Sequence, residues 1–197
     1  MHANYGCMKI IGFIYNELTS GWEMVLKGDS CLLNGRKPMF IPDWTQELGV
    51  TECLILRVSR LGKEISPKFA SRYYDAIAPG ADFIAMDIAR EAAQAGKPWT
   101  KALAFDYSLA IGEWMTMRDE GLAMSDEGLG MSDERGARRD EFVMSPEEAI
   151  SEASKVMTIR QGDLIYIQAK QTPRLVHKED IIRKEMDGEE KLYCKIK

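Results

Sequence analysis

The sequence predicts a mixed α+β fold, and three observations carry that expectation. An apolar, β-branched run spans 51–58, Thr-Glu-Cys-Leu-Ile-Leu-Arg-Val, long enough for a buried strand. Helical patterns follow it, over 66–77 and 86–95, with a polar-bearing segment around Asp82 between them. A capped helix at 145–155 then precedes a second apolar strand at 159–167.

The elements follow in order. Residues 8–16 read as an apolar strand, with 1–7 as an N-terminal extension. Asn34-Gly35 is a turn signal between two strands, and Pro38 and Pro42 confine the next stretch to an edge or irregular extended path. Ser66 and Pro67 suit the start of the 66–77 helix, whose Phe69, Tyr73 and Ile77 recur at i, i+4 spacing. Asp87 falls in the first turn of the 86–95 helix, where a carboxylate complements the helix dipole. A strand is expected to end near Gly112. Residues 115–141 are polar and acidic, with EGLAMSD followed by EGLGMSD; two copies do not make a solenoid, and a variable surface hairpin or loop is expected. Ser145, Pro146 and Glu148 form a capping box for the 145–155 helix.

Composition narrows the function classes. The 197 residues suffice for one domain, 8–197, with a sizeable core. The formal net charge of -5 argues against a nucleic-acid partner, which requires clustered Lys and Arg. No apolar run is long enough for a membrane span, and the N-terminus lacks the pattern of a secretory signal. The four cysteines are scattered, without a CxxC, which fits reduced thiols and a cytoplasmic location.

Between residues 38 and 114 the segments PDW, LGKEI, KFASRYYDAI, GADFIAMDI, GKPW, AFD and IGEW occur in that order. Together with the Lys27-Gly-Asp-Ser segment and the Gly162-Asp163 turn, they resemble the fumarylacetoacetate hydrolase family, especially its short bacterial members related to acylpyruvate hydrolases and 2-hydroxyhepta-2,4-diene-1,7-dioate isomerases. The resemblance runs from Met8 through nearly the whole chain. It implies a mostly β, barrel- or sandwich-like roll with short helices. It also implies a divalent-metal site that chelates keto-acid oxygens and stabilises an enolate.

The positions that carry this chemistry in the family are largely changed here. The two glutamates of the family's Glu-x-Glu strand fall on Thr51 and Cys53, with Glu52 between them on the opposite face. The third metal carboxylate is retained as Asp82, which otherwise reads as an Asp accepting backbone N–H groups near a helix start. The family's histidine falls on Ser20, its small glycine on Ile14 and its catalytic lysine on Leu103, while Asn16 matches. Lys101, two residues before Leu103 on what is expected to be one strand, is the available substitute. The Thr-Gly-Thr-Pro substrate loop is replaced by Gln168, Ala169, Lys170 and Gln171, with Thr172-Pro173 displaced.

The expectation is therefore a catalytically degenerate member, without a cofactor, acting as a structural or regulatory subunit or as a small organic-acid binder. If the site survives, it binds Mg²⁺ or Mn²⁺ weakly. The alternative is an active hydrolase, isomerase or decarboxylase of β-dicarbonyl acids with Asp82, Lys101, Cys53 and Glu52 rearranged. A homodimer is expected, or a heteromer with an active relative.

Overall fold

The computed structural model describes residues 8–16, 21–116, 142–186 and 188–197. Ser20 and most of the 115–141 segment, including both seven-residue copies, lie outside the described residues.

The architecture is a sheet-rich α+β fold. A mixed sheet follows the path β2 (Gly21–Lys27), β1 (Ile10–Asn16), β8 (Leu164–Gln168), β4 (Leu48–Val58), β5 (Tyr74–Ala85), β6 (Leu109–Ile111), β3 (Leu32–Asn34). Short strands β7 (Met115–Thr116) and β9 (Arg174–Leu175) pair with β5 and β4, and β10 (Ile181–Met186) and β11 (Glu189–Lys195) form a separate hairpin. Strands β1 and β8, and β3 and β6, run parallel; the other pairs are antiparallel.

Strand β4 explains why the centre is apolar on both faces. Leu54, Leu56 and Val58 pack in a cluster with Ala149, Ile150 and Ala153 of helix α4 (Pro146–Val156). Cys53 and Ile55 point the other way, toward Tyr166, Leu103 and Leu109. A strand covered on both sides reads as a continuous apolar run rather than an alternating one. The expected capping box of α4 is present: Ser145 Oγ accepts from Glu148 N–H, and the Glu148 carboxylate accepts from Ser145 N–H.

Four local expectations are corrected. The helix placed at 66–77 is a single turn, α1 (Pro67–Ala70), followed by a 3-10 turn at Ser71–Tyr73. From Tyr74 the chain is already strand, because pairing along β4 from Leu48 to Val58 satisfies the backbone of β5 and outweighs the helical spacing. The strand expected through Lys101 and Leu103 is a helical turn, α3 (Thr100–Leu103), and strand begins only at Leu109. Asn34-Gly35 does turn, with Gly35 at φ 71°, but β3 pairs in parallel with β6 rather than forming a hairpin. The strand expected from 159 starts at Leu164, after Gly162 at φ 91°.

Candidate functional site

Register decides which side chains reach the centre of the sheet. Thr51 on β4 lies directly across from Asp82 on β5, and Cys53 lies across from Gly80 on one side and Gln168 of β8 on the other. The structure thus brings Thr51, Cys53, Asp82 and Gln168 to one buried locus. Asp82 stands in mid-strand and not at a helix start, which corrects the reading of it as a cap.

Asp82 is fully enclosed, and both of its oxygens are engaged. Lys27 Nζ lies 2.7 Å from Asp82 Oδ1, with both side chains entirely buried. Gln168 Nε2 donates to Asp82 Oδ2 at 2.7 Å, while Gln168 Oε1 accepts from Tyr15 N–H at 3.0 Å. The Lys27 ammonium also donates to Leu103 O at 2.5 Å, Ser108 Oγ at 2.9 Å and Ser108 O at 3.1 Å. A buried charge is tolerated only when paired and hydrogen-bonded, and this cage meets both conditions for the ammonium.

Tyr166 completes the floor. Its ring lies across Gly12, its parallel neighbour on β1. A Cβ at residue 12 would come within 2.1 Å of that ring, so glycine there makes the space. The Lys27 ammonium sits 5.8 Å from the ring centroid. Burial, and then the charge of Asp82, push the Tyr166 phenol well above its usual range. Cys53 is likewise raised well above the ordinary thiol value, by burial first and by Asp82 second, with Lys27 opposing. A thiol so raised is a poor nucleophile, and as a soft ligand it suits zinc rather than a hard ion. Gly80 leaves room for Cys53: a Cβ there would meet the sulfur at 2.8 Å.

These residues do not fit a hard divalent cation. Such an ion requires several oxygen ligands. The three family positions supply one hydroxyl, one soft sulfur and one carboxylate, and that carboxylate already holds an ammonium and an amide. Thr51 Oγ1 is buried without a hydrogen-bond partner among the described residues. No group of three or more His, Cys, Asp or Glu side chains able to hold a metal occurs among the described residues.

The remaining candidates do not converge. Glu52 points to the opposite face, where its Oε1 meets Lys184 Nζ at 2.5 Å. The irregularity in β4 lies at Arg57/Val58, too far along to turn Glu52 inward. Lys101 is exposed on α3, with its ammonium 5.5 Å from the ring centroid of Trp44. Residues i and i+2 of a helical turn do not share a face, so Lys101 does not stand in for a lysine at 103. Leu103 is buried and serves through its carbonyl. Of the substituted loop, Gln168 turns into the centre, Ala169 is buried, and Lys170 and Thr172 are exposed. Asp87 is structural: its carboxylate accepts from Thr45 Oγ1, Gln46 N–H and Ile88 N–H.

Sequence reasoning marked Lys27 only as the start of the Lys-Gly-Asp-Ser segment and missed its pairing role, and it missed Ser108 and Tyr166. For Tyr166 the available signal was slight: a glycine at 12 amid apolar residues.

The sequence matches the family model for the C-terminal region of fumarylacetoacetate (FAA) hydrolase over residues 15–196. No curated protein matches it. Among solved structures it is similar to a fumarylacetoacetate hydrolase family protein from Yersinia pestis CO92, at 18% identity and TM-score 0.80, covering 98% of this chain and 94% of that one. It is also similar to fumarylpyruvate hydrolase from Pseudomonas aeruginosa, solved with Mn²⁺ and pyruvate, at 17% identity and TM-score 0.74, covering 100% and 93%. A third is the 5-carboxymethyl-2-hydroxymuconate delta-isomerase from Mycobacterium smegmatis, at 17% and 0.75, covering 96% and 78%. At such identities the likeness concerns the fold.

Proposed function

The chain belongs to the fumarylacetoacetate hydrolase family, and from that premise we propose that it is a catalytically degenerate member, acting as a structural or regulatory subunit. One observation carries this reading: the retained carboxylate, Asp82, is closed off within the protein by Lys27 on one oxygen and Gln168 on the other. An electrostatic centre contributes to catalysis when its dipoles aim at charge developing on a substrate. Here they aim at one another.

The substitutions around it support the same conclusion. Of the set an enzyme with a rearranged site would recruit, Cys53 and Asp82 share the buried locus, but Glu52 pairs with Lys184 on the opposite face and Lys101 lies at the surface against Trp44. Dimerisation is part of the proposal. It is supported by edge strand β2, which leaves Trp22 and Leu26 41% and 51% exposed. A second copy or an active relative would cover that strand.

The test is turnover. With Mn²⁺ or Mg²⁺ present, the purified protein is expected to leave acylpyruvate and oxaloacetate at their background rates. Metal-dependent turnover lost on Asp82→Ala would overturn the reading. Light scattering checks the dimer, and co-purification with an active family member checks the heteromer.

A further inference from the structure

Away from the buried centre, the turn at 61–65 lies along the C-terminal end of α4. Gly62 and Ile159 exchange backbone hydrogen bonds at 2.9 and 3.0 Å, and Glu64 N–H donates to Ser154 O at 3.0 Å. Ile65 N–H donates to Ser154 Oγ at 2.8 Å, and Lys63 Nζ to Lys155 O at 3.1 Å. Helix α1 follows the turn and packs on α4. Three large apolar side chains stay in water on these elements: Leu61 at 70%, Val156 at 61% and Phe69 at 45% exposed. The turn itself is strained, with Glu64 at φ 52°, a conformation that costs a non-glycine residue of order 1 kcal/mol or more. The bonds to α4 hold it there.

The charge of this face is opposite to that of the chain. Arg60, Lys63, Lys68, Arg72, Lys155 and Arg160 are exposed on the same segments, against Glu64 and Glu152. Glu152 is already paired with Lys155 at 2.6 Å, and nearby Asp75 is held by Arg57. Phe69 is bracketed by cations: the Arg72 guanidinium lies 5.2 Å and the Lys68 ammonium 5.8 Å from its ring centroid. The chain as a whole has a formal net charge of -5.

We propose that the α1–α4 face docks an acidic protein surface, which sets an apolar side chain against Leu61, Phe69 and Val156. An aromatic side chain with arginine beside it, ringed by charge, is the composition of an interface centre and rim. The hydrogen bonds between the turn and α4 fix the face in advance, which lowers the ordering cost of binding. Complementary charge then selects an acidic partner and penalises a basic one. An anionic membrane has the matching sign, but it presents a diffuse charge that repels the rest of an acidic chain. A protein partner sets carboxylates against individual cations. This docking rests on the subunit role proposed above and not on the state of the centre. Turnover at the centre would overturn the degenerate reading and leave the face as it is.

Two short peptides of matched shape serve as probes, one with Leu and Phe among glutamates and one with the same apolar residues among lysines. Each is titrated into the full chain at low salt while the backbone amide resonances of Leu61, Phe69 and Val156 are followed by NMR. Saturable shifts are expected with the glutamate peptide, and binding about tenfold weaker with the lysine peptide, the factor that 1.4 kcal/mol represents. The double variant Lys68→Glu, Arg72→Glu should weaken the glutamate peptide about tenfold, and added salt should weaken it in the wild type. Leu61→Ser, at a largely exposed position, should weaken it about threefold to fivefold with the melting temperature unchanged. Phosphatidylglycerol vesicles should leave the three resonances as they are. Equal or tighter binding of the lysine peptide, no saturation by the glutamate peptide, indifference to both variants, or vesicle binding through these residues would each overturn the proposal.

Discussion

Strand β4 has a lysine–carboxylate contact on each side of it, and the two differ mainly in burial. Across from Thr51, Asp82 meets Lys27 at 2.7 Å with neither side chain exposed. From the next residue, Glu52 meets Lys184 at 2.5 Å, but 38% of the Glu52 side chain is exposed. Bond lengths alone would rank them as equals. Water decides otherwise: the exposed pair gains little over its solvated state, whereas the buried pair has exchanged all of its hydration for a fixed set of protein oxygens. The inner contact is therefore a commitment of the fold, and the outer one an adjustment of the surface.

The contrast is broken most forcefully by removing one inner partner. Asp82→Ala or Lys27→Met should lower unfolding free energy by about 3–5 kcal/mol, read from denaturant midpoints, because each strands a buried charge. Replacing both with apolar residues, Lys27→Met with Asp82→Leu, should be less damaging than either single change. A smaller loss is expected from Gln168→Ala, about 1–3 kcal/mol, since Tyr15 N–H and one Asp82 oxygen lose their partner.

Asp87 adds a pH dependence. Burial raises its pKa, but hydrogen bonds from Gln46 N–H, Thr45 and Ile88 N–H outweigh that and hold it below the usual value. A depressed folded-state pKa contributes stability above the unfolded value, near pH 4, which is lost as pH falls through the folded one. Asp87→Asn should flatten that part of the acid denaturation curve. The smallest effect belongs to the outer pair: Glu52→Gln should change stability by less than about 1 kcal/mol and lose even that in high salt.

Legibility in the sequence follows the same division between local and distant causes. The α4 capping box, the β1 and β4 strands and the alternation that separates Glu52 from Thr51 and Cys53 were readable, because each depends on neighbours within a few residues. The fold class was readable because many scaffold segments occur in family order. Tyr74–Ile77 was misread as helix because its apolar spacing fits one; the strand forms through pairing with Leu56–Val58, which the segment itself does not encode. Leu103 was misplaced on a strand for a similar reason. Lys27 and Asp82 lie 55 positions apart, and nothing local marks them as partners. Gln168 was noted as a change in a loop, but only its place beside Cys53 turns its amide toward Asp82.

The central claim is that Asp82 serves an internal lysine and amide instead of a divalent ion. Titration of the purified protein with Mn²⁺, following the free ion by electron paramagnetic resonance, tests it most directly. The account predicts that the wild-type chain removes no more Mn²⁺ from solution than Asp82→Ala does, and that neither gains thermal stability from it. Stoichiometric uptake by the wild type, lost on Asp82→Ala and accompanied by a rise in melting temperature, would contradict it.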